Sequence, residues 1–121
     1  MPTTLLGLRT VIYPAPDLAA AKSWWSGFLG LTPYFDEAYY VGFEVGGYEL
    51  GLLPDADPSQ GAIIYWGVAD VAAAIDAALA HDAELHGPAT DVGEGIVTGS
   101  VRTPNGEILG FIRNPHFKVT G

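Results

Sequence analysis

Few side chains in this 121-residue chain are placed to do chemistry, and their types limit what that chemistry is. Glu49 is the one carboxylate in the run GGYELGLL (46–53). A carboxylate among apolar neighbours is suited to general-base work. No partner for it is evident in the sequence, and Arg102 is one candidate. His81 falls at a helix end, His86 beside Gly87-Pro88, and His116 in the tail. Those positions suit surface or capping roles better than catalysis. The chain has no cysteine, which excludes disulfides, thiolate metal sites and cysteine nucleophiles. A Ser–His arrangement or a GxSxG elbow is also missing, so nucleophilic catalysis has no support.

Charge and hydropathy narrow the partners. Fourteen acidic residues face five basic ones, a formal charge of −9, and this disfavours nucleic acid, whose phosphates need Lys and Arg. The same field favours a cationic small molecule or a basic partner, and it also keeps a small protein soluble. Hydrophobic residues make up 49% and charged ones 16%, enough apolar material for one folded domain over 1–121. No apolar run reaches the roughly 20 residues of a membrane helix, and no basic stretch precedes an apolar one at the start. The expectation is a cytoplasmic protein with neither membrane nor nucleic-acid partners.

The elements that position these residues come as a repeat. VIYPAPDLAAAKSWWSGFLGL (11–31) is echoed by IYWGVADVAAAIDAALAHDAE (64–84), and GGYELGLL (46–53) by NGEILGFI (105–112). Each unit begins with a strand, 6–13 or 62–68, followed by Asp17 or Asp70 where an N-cap is wanted. Leu18, Ala21, Trp25, Phe28 and Leu29 form the stripe of the first helix, which Gly30 stops. Val71, Ala74, Ile75, Ala78 and Leu79 form the stripe of the second. Adjacent Trp24 and Trp25 cannot both face inward, so one packs in the core and the other marks an interface or a rim. Strands are expected at 33–36, 39–45 and 48–53, then near 84–92, 95–103 and 107–113, with Gly46-Gly47, Gly93-Glu94-Gly95 and Pro104-Asn105-Gly106 as turns. Residues 55–61 connect a first module (5–54) to a second (62–115), and the tail from Asn114 to Gly121 has no periodicity. The pattern is βαβββ twice.

PDLAAAKSWWSGFLGL, WGVADVAAAIDAAL and VRTPNGEILGFI, in this order and duplicated, resemble the vicinal oxygen chelate superfamily of glyoxalases, bleomycin-resistance proteins and extradiol dioxygenases. Thr103 and Glu107 depart from the family's Asp-Pro-x-Gly-Asn turn. The resemblance implies an α+β fold, two tandem βαβββ modules whose curved mixed sheets surround a central cleft with the helices outside. It also implies a divalent metal held from both halves, at positions that fall on Thr10, Gly51, Ile63 and Gly110 here. None of those four side chains is a competent metal ligand, so no metal and no cofactor is expected.

Under the same geometry, strand alternation lines the cleft with Thr10, Ile12, Glu49, Gly51, Ile63, Tyr65 and Gly110, with Tyr40 at the mouth and Arg102 nearby. Val11, Ile64, Trp66, Leu50, Leu52, Leu109 and Phe111 then pack under the helices. An apolar cavity with few polar anchors describes a small-molecule site. Each residue also has a structural reading: Glu49 as a solvated edge residue, Tyr65 as core, the glycines as room for close packing. The resemblance thus points to a metal-independent, homodimeric binding protein for a small organic molecule, cationic or aromatic, that sequesters a drug or metabolite. The alternative it leaves open is a glyoxalase-like lyase, isomerase or dioxygenase with a non-standard site, in which Glu49 is the catalytic candidate. A module used for association or sensing is a third.

Overall fold

The computed structural model describes residues 4–116; the expectation for the tail thus reaches residues 117–121, which lie outside the described residues. The fold is α+β; the described residues form eight strands and two α-helices in two compact units, one of residues 10–63 and the other of 4–9 with 64–116. No helix among the described residues is long and apolar enough to cross a membrane.

The first unit runs β1 (Leu8–Pro14), which joins it from Thr10 on, α1 (Leu18–Leu29), β2 (Phe35–Glu37), β3 (Tyr40–Val45) and β4 (Tyr48–Leu53). Its strand order is β2-β3-β4-β1, with β1 parallel to β4 and the other pairs antiparallel. The second unit carries β5 (Ile63–Gly67), α2 (Val71–Ala80), β6 (Glu84–Gly93), β7 (Ile96–Arg102) and β8 (Ile108–Arg113). Its order is β5-β8-β7-β6, again with one parallel pair, β5 with β8. The repeat read from sequence is a repeat of topology: βαβββ twice. Pro14 is the last residue of β1 and pairs with Leu53, a position that tolerates the missing donor.

Both helices start as the sequence requires. Asp17 accepts from the Ala20 amide at 3.1 Å and Asp70 from the Ala73 amide at 3.0 Å, each satisfying an orphan donor of the first turn. Gly30 ends α1 in the left-handed region, and its amide bonds the Ser26 carbonyl. Gly46 and Gly47, at φ 61° and 90°, make the β3–β4 hairpin. The connector holds a short 3₁₀ turn, Pro58–Gln60, capped by Asp57. The amide and then the hydroxyl of Ser59 hold the Asp57 carboxyl below its usual range.

Each unit has its own core on the helix side of its sheet. In the first, Ala15, Val41, Phe43 and Leu52 are buried beneath Leu18, Ala21, Trp25 and Leu29. Phe28 is not part of that stripe. It is 70% exposed and stacks on Trp24, itself 59% exposed, because the helix buries a narrower arc than the apolar spacing implies. Trp25 is the inward member of the tryptophan pair and stacks on Tyr13. In the second unit, Val68, Val71, Ala74, Ile75, Val101 and Phe111 form the core, with Leu109 and Ala78 packed against it. Helix α2 lies over β7, β6 and β8. Ile64 on β5 is therefore left 41% exposed rather than covered by the helix.

The strand expected near 84–92 is β6, a ten-residue strand that runs through Gly87-Pro88 and whose register with β7 shifts three times. At the β7–β8 turn, where Thr103 and Glu107 depart from the family's phrase, Thr103 Oγ1 donates to Glu107 Oε1 at 2.6 Å and Asn105 Nδ2 donates to Glu107 Oε2 at 2.9 Å. These bonds, the threonine's first, hold the Glu107 carboxyl below its usual range.

Candidate functional site

Strand alternation leaves each sheet a second face, away from its helix core. In the first unit, register places Thr10 opposite Glu49, Ile12 opposite Gly51, Gly42 opposite Gly51 and Glu44 opposite Glu49 on that face. Thr10 is buried and its hydroxyl donates to Glu49 Oε1 at 3.2 Å. The hydroxyl of Tyr34 donates to Glu49 Oε2. Both oxygens of this carboxylate are thus engaged by hydroxyls, one buried and one on an open ring.

The aromatic walls depend on missing side chains. The Tyr40 hydroxyl lies where a Cβ of residue 51 would stand, so only glycine fits beneath it. A Cβ at Gly42 would come within 3.0 Å of both Glu49 Oε2 and Tyr34 Cε1. The Tyr34 amide is anchored to the Gly42 carbonyl at 3.0 Å, which fixes the ring over that glycine. Phe35 links the group, its ring centroid 6.0 Å from Tyr39 and from Tyr40 and 6.5 Å from Tyr34. The result is two carboxylates, Glu44 and Glu49, beside four connected aromatic rings.

Electrostatics reinforces this order. Desolvation, then the hydrogen bond to Glu49, then its negative charge all push the Tyr34 phenol well above its ordinary value. Tyr34 therefore stays a proton donor, and Glu49 is held as an acceptor of two hydrogen bonds. A carboxylate so placed can receive a cationic or hydrogen-bond-donating group that approaches between the rings.

The second unit holds the other expected residues apart from Ile63. Tyr65 pairs with Gly110, and its ring lies so close that a Cβ at 110 would come within 2.6 Å of Cδ1. Burial raises the Tyr65 phenol above its usual value. Ile63, the last residue of the first unit, opens β5 and is half-buried. Arg102 ends β7 and donates from Nη1 to the Gly106 carbonyl at 2.9 Å, a contact that braces the β7–β8 turn. Ser100, opposite Gly110 and buried, contacts His86 Nδ1 at 2.8 Å.

The expected residues therefore fall into two groups. Thr10, Ile12, Tyr40, Glu49 and Gly51 gather on the first sheet, while Tyr65, Gly110 and Arg102 belong to the second unit. Sequence reasoning passed over Tyr34, Gly42 and Ser100, and read His86 as a surface or capping residue. Gly42 carried a signal, because an isolated glycine inside a strand marks a close approach.

The metal positions implied by the resemblance do not fit a metal. Thr10 spends its hydroxyl on Glu49, Gly51 lies under Tyr40, Gly110 lies under Tyr65, and Ile63 has no donor atom. Among the described residues, no three His, Asp or Glu side chains gather as a ligand set.

Comparison with known proteins gives one family. The model described as glyoxalase/bleomycin resistance protein/dioxygenase superfamily matches residues 7–111. No curated protein matches the chain. Among solved structures, a Streptomyces coelicolor methylmalonyl-CoA epimerase in complex with 2-nitronate-propionyl-CoA is similar at TM-score 0.75 and 15% identity, over 95% of this chain and 99% of that one. A Mycobacterium tuberculosis methylmalonyl-CoA epimerase is similar at TM-score 0.69 and 16% identity, over 95% and 93%. A glyoxalase/bleomycin resistance protein/dioxygenase superfamily member from Vibrio splendidus 12B01 is similar at 0.64 and 17%, over 88% and 99%.

Proposed function

The chain belongs to the glyoxalase/bleomycin resistance protein/dioxygenase superfamily, and we propose that it binds a small organic cation, with no metal ion, on the face of the first sheet that carries Glu49. The observation that carries this reading is the Glu49 carboxylate, which accepts from Thr10 and Tyr34 beside a run of aromatic rings. Glu44 directly opposite adds a second negative charge at a register position where like charges repel. A bound cation relieves that repulsion. The formal charge of −9 draws such a ligand in from a distance. The methylmalonyl-CoA epimerases of similar fold, in complex with 2-nitronate-propionyl-CoA and with methylmalonyl-CoA, use this architecture for small molecules in those proteins. The reading includes sequestration of a drug or metabolite by a cytoplasmic homodimer.

The test is calorimetric titration with benzyltrimethylammonium and a panel of cationic aromatic antibiotics, before and after treatment with a chelator. Saturable binding that is unchanged by the chelator and lost in Glu49→Gln supports the reading. Binding that requires a stoichiometric divalent metal removes it. Native mass spectrometry of the same preparation reads the oligomer and any ligand that co-purifies.

A second reading rests on the same hydrogen bonds. A carboxylate paired with a phenol that keeps its proton has the parts for acid–base isomerisation of a small oxygenated substrate. Turnover abolished by Glu49→Gln, with binding retained, favours this enzyme over the binding protein.

A further inference from the structure

We propose that the second unit carries an anion site, a cavity that takes the carboxylate of a small organic acid between Arg9 and Arg113. The cavity measures about 200 Å³, and both guanidinium-bearing residues line it together with Leu6, Val68, Ile112 and Pro115. Two of the chain's three arginines are thereby concentrated at one place in a protein of formal charge −9. No acidic residue is among the described residues that line it.

The site is built on hydrogen-bonded backbone. The Leu6 amide donates to the Gly67 carbonyl at 2.8 Å, and the Gly67 amide donates to the Gly7 carbonyl at 2.8 Å. The Val68 amide donates to the Ile112 carbonyl at 2.9 Å. These bonds lay the 6–9 segment against the end of β5 and bring Arg9 across Gly67. The guanidinium rests on that glycine so closely that a Cβ there would stand 2.6 Å from Nε and 2.8 Å from Cζ. Arg113 is anchored from another side, with Nη1 donating to the Gly95 carbonyl at 3.0 Å. Both forks are thus held in place, which lowers the entropy cost of pairing them with a ligand.

The lining selects the class of anion. A guanidinium matches a carboxylate through two parallel hydrogen bonds. Leu6, Val68, Ile112 and Pro115 offer apolar wall to the rest of the molecule. A cavity of roughly 150 Å³ admits a benzene ring, so the space suits a compact aromatic or short aliphatic acid. Inorganic phosphate, with more charge and no apolar part, would leave oxygens unpaired against that wall.

Calorimetric titration of the full chain with benzoate tests the assignment, with benzyl alcohol and inorganic phosphate as the other arms. The expected result is saturable benzoate binding that weakens as salt rises and falls about tenfold or more in Arg113→Gln and in Arg9→Gln. Arg113 is exposed, so Arg113→Gln keeps the test intact even if Arg9→Gln disturbs the fold, which circular dichroism reports. Absence of saturable benzoate binding overturns the proposal, as does full affinity in Arg113→Gln. Equal binding of benzyl alcohol removes the anion, and equal or tighter binding of phosphate removes the organic acid.

Discussion

Glu44 and Glu49 stand directly opposite each other across the β3–β4 ladder, on the face that also presents Tyr34 and Tyr40. Opposed like charges cost a sheet about 0.2–1 kcal/mol, so this pairing is a local expense in the absence of a ligand. Glu44→Gln is expected to raise stability by a few tenths to about 1 kcal/mol in urea unfolding. The same variant is expected to weaken binding of an organic cation in calorimetry. Stability gained together with affinity lost marks the pair as serving the ligand rather than the fold.

The Tyr34 phenol supplies a pH signature. Its folded pKa lies above the ordinary value of 10.0, so the folded state holds the proton more tightly than the unfolded state does. Its contribution to stability is complete below about pH 10 and is lost as pH rises through the folded value. Ultraviolet titration of phenolate absorbance is expected to show Tyr34 and Tyr65 ionising above the ordinary phenol range. Desolvation, the largest cause, keeps the Tyr34 step raised in Glu49→Gln, while loss of the negative charge and weakening of the hydrogen bond move it part of the way back.

The β7–β8 turn carries the opposite sign. Glu107 has its folded pKa lowered by Thr103 and then Asn105, so its stabilising effect is present above the usual carboxylate range and is lost as pH falls through the folded value. Thr103→Val is expected to bring the Glu107 titration, followed by NMR of its side-chain carboxyl, back toward the ordinary range. The Arg102 contact to Gly106 remains in that variant.

Gly51 is not a flexible link, since it sits in mid-strand under the Tyr40 ring. Gly51→Ala must push that ring off the sheet. Overpacking of this kind costs about 1–3 kcal/mol, and the cost should appear in chemical denaturation. Gly110→Ala is expected to act in the same way on Tyr65, since the contact is built alike. Near-ultraviolet circular dichroism, which reports tyrosine environment, should change in both variants.

The two faces of α1 separate core from surface. Phe43 is fully buried against this helix, and Phe43→Ala is expected to cost about 3–5 kcal/mol. Phe28 lies on the open side, and Phe28→Ala is expected to stay within about 0.5 kcal/mol in the same denaturation series. A large loss at Phe28 would mean that a partner covers it.

The fold was legible in this chain because local signals agreed with one another. Asp17 and Asp70 announced both helices, Gly46-Gly47 the hairpin, and the repeated phrases the duplicated βαβββ order. Period-2 alternation also put Thr10, Ile12, Glu49 and Gly51 on one face. What escaped was set by tertiary contact. The Phe28 spacing fits an apolar stripe, yet the breadth of the covered arc depends on the sheet beneath it. The strand near 84–92 was legible, but its register shifts were not, because they are set by its pairing with β7. Tyr34 could not be placed, because its partner lies 15 residues along the chain and is reached only when β2 folds beside β3. The Arg9–Arg113 cavity joins segments more than 100 residues apart, a distance over which periodicity says nothing.

Strand β6 ends the strand order of its unit, and such borders are where chains recruit one another into fibrils. Its slips out of step with β7 and its Pro88, which has no amide hydrogen to offer, break the regular row of donors and acceptors that an incoming strand would copy. The irregularity of this strand is thus a guard against polymerisation. A straightened version, with Pro88 replaced and the slips removed, would put solubility at risk well before it altered ligand recognition.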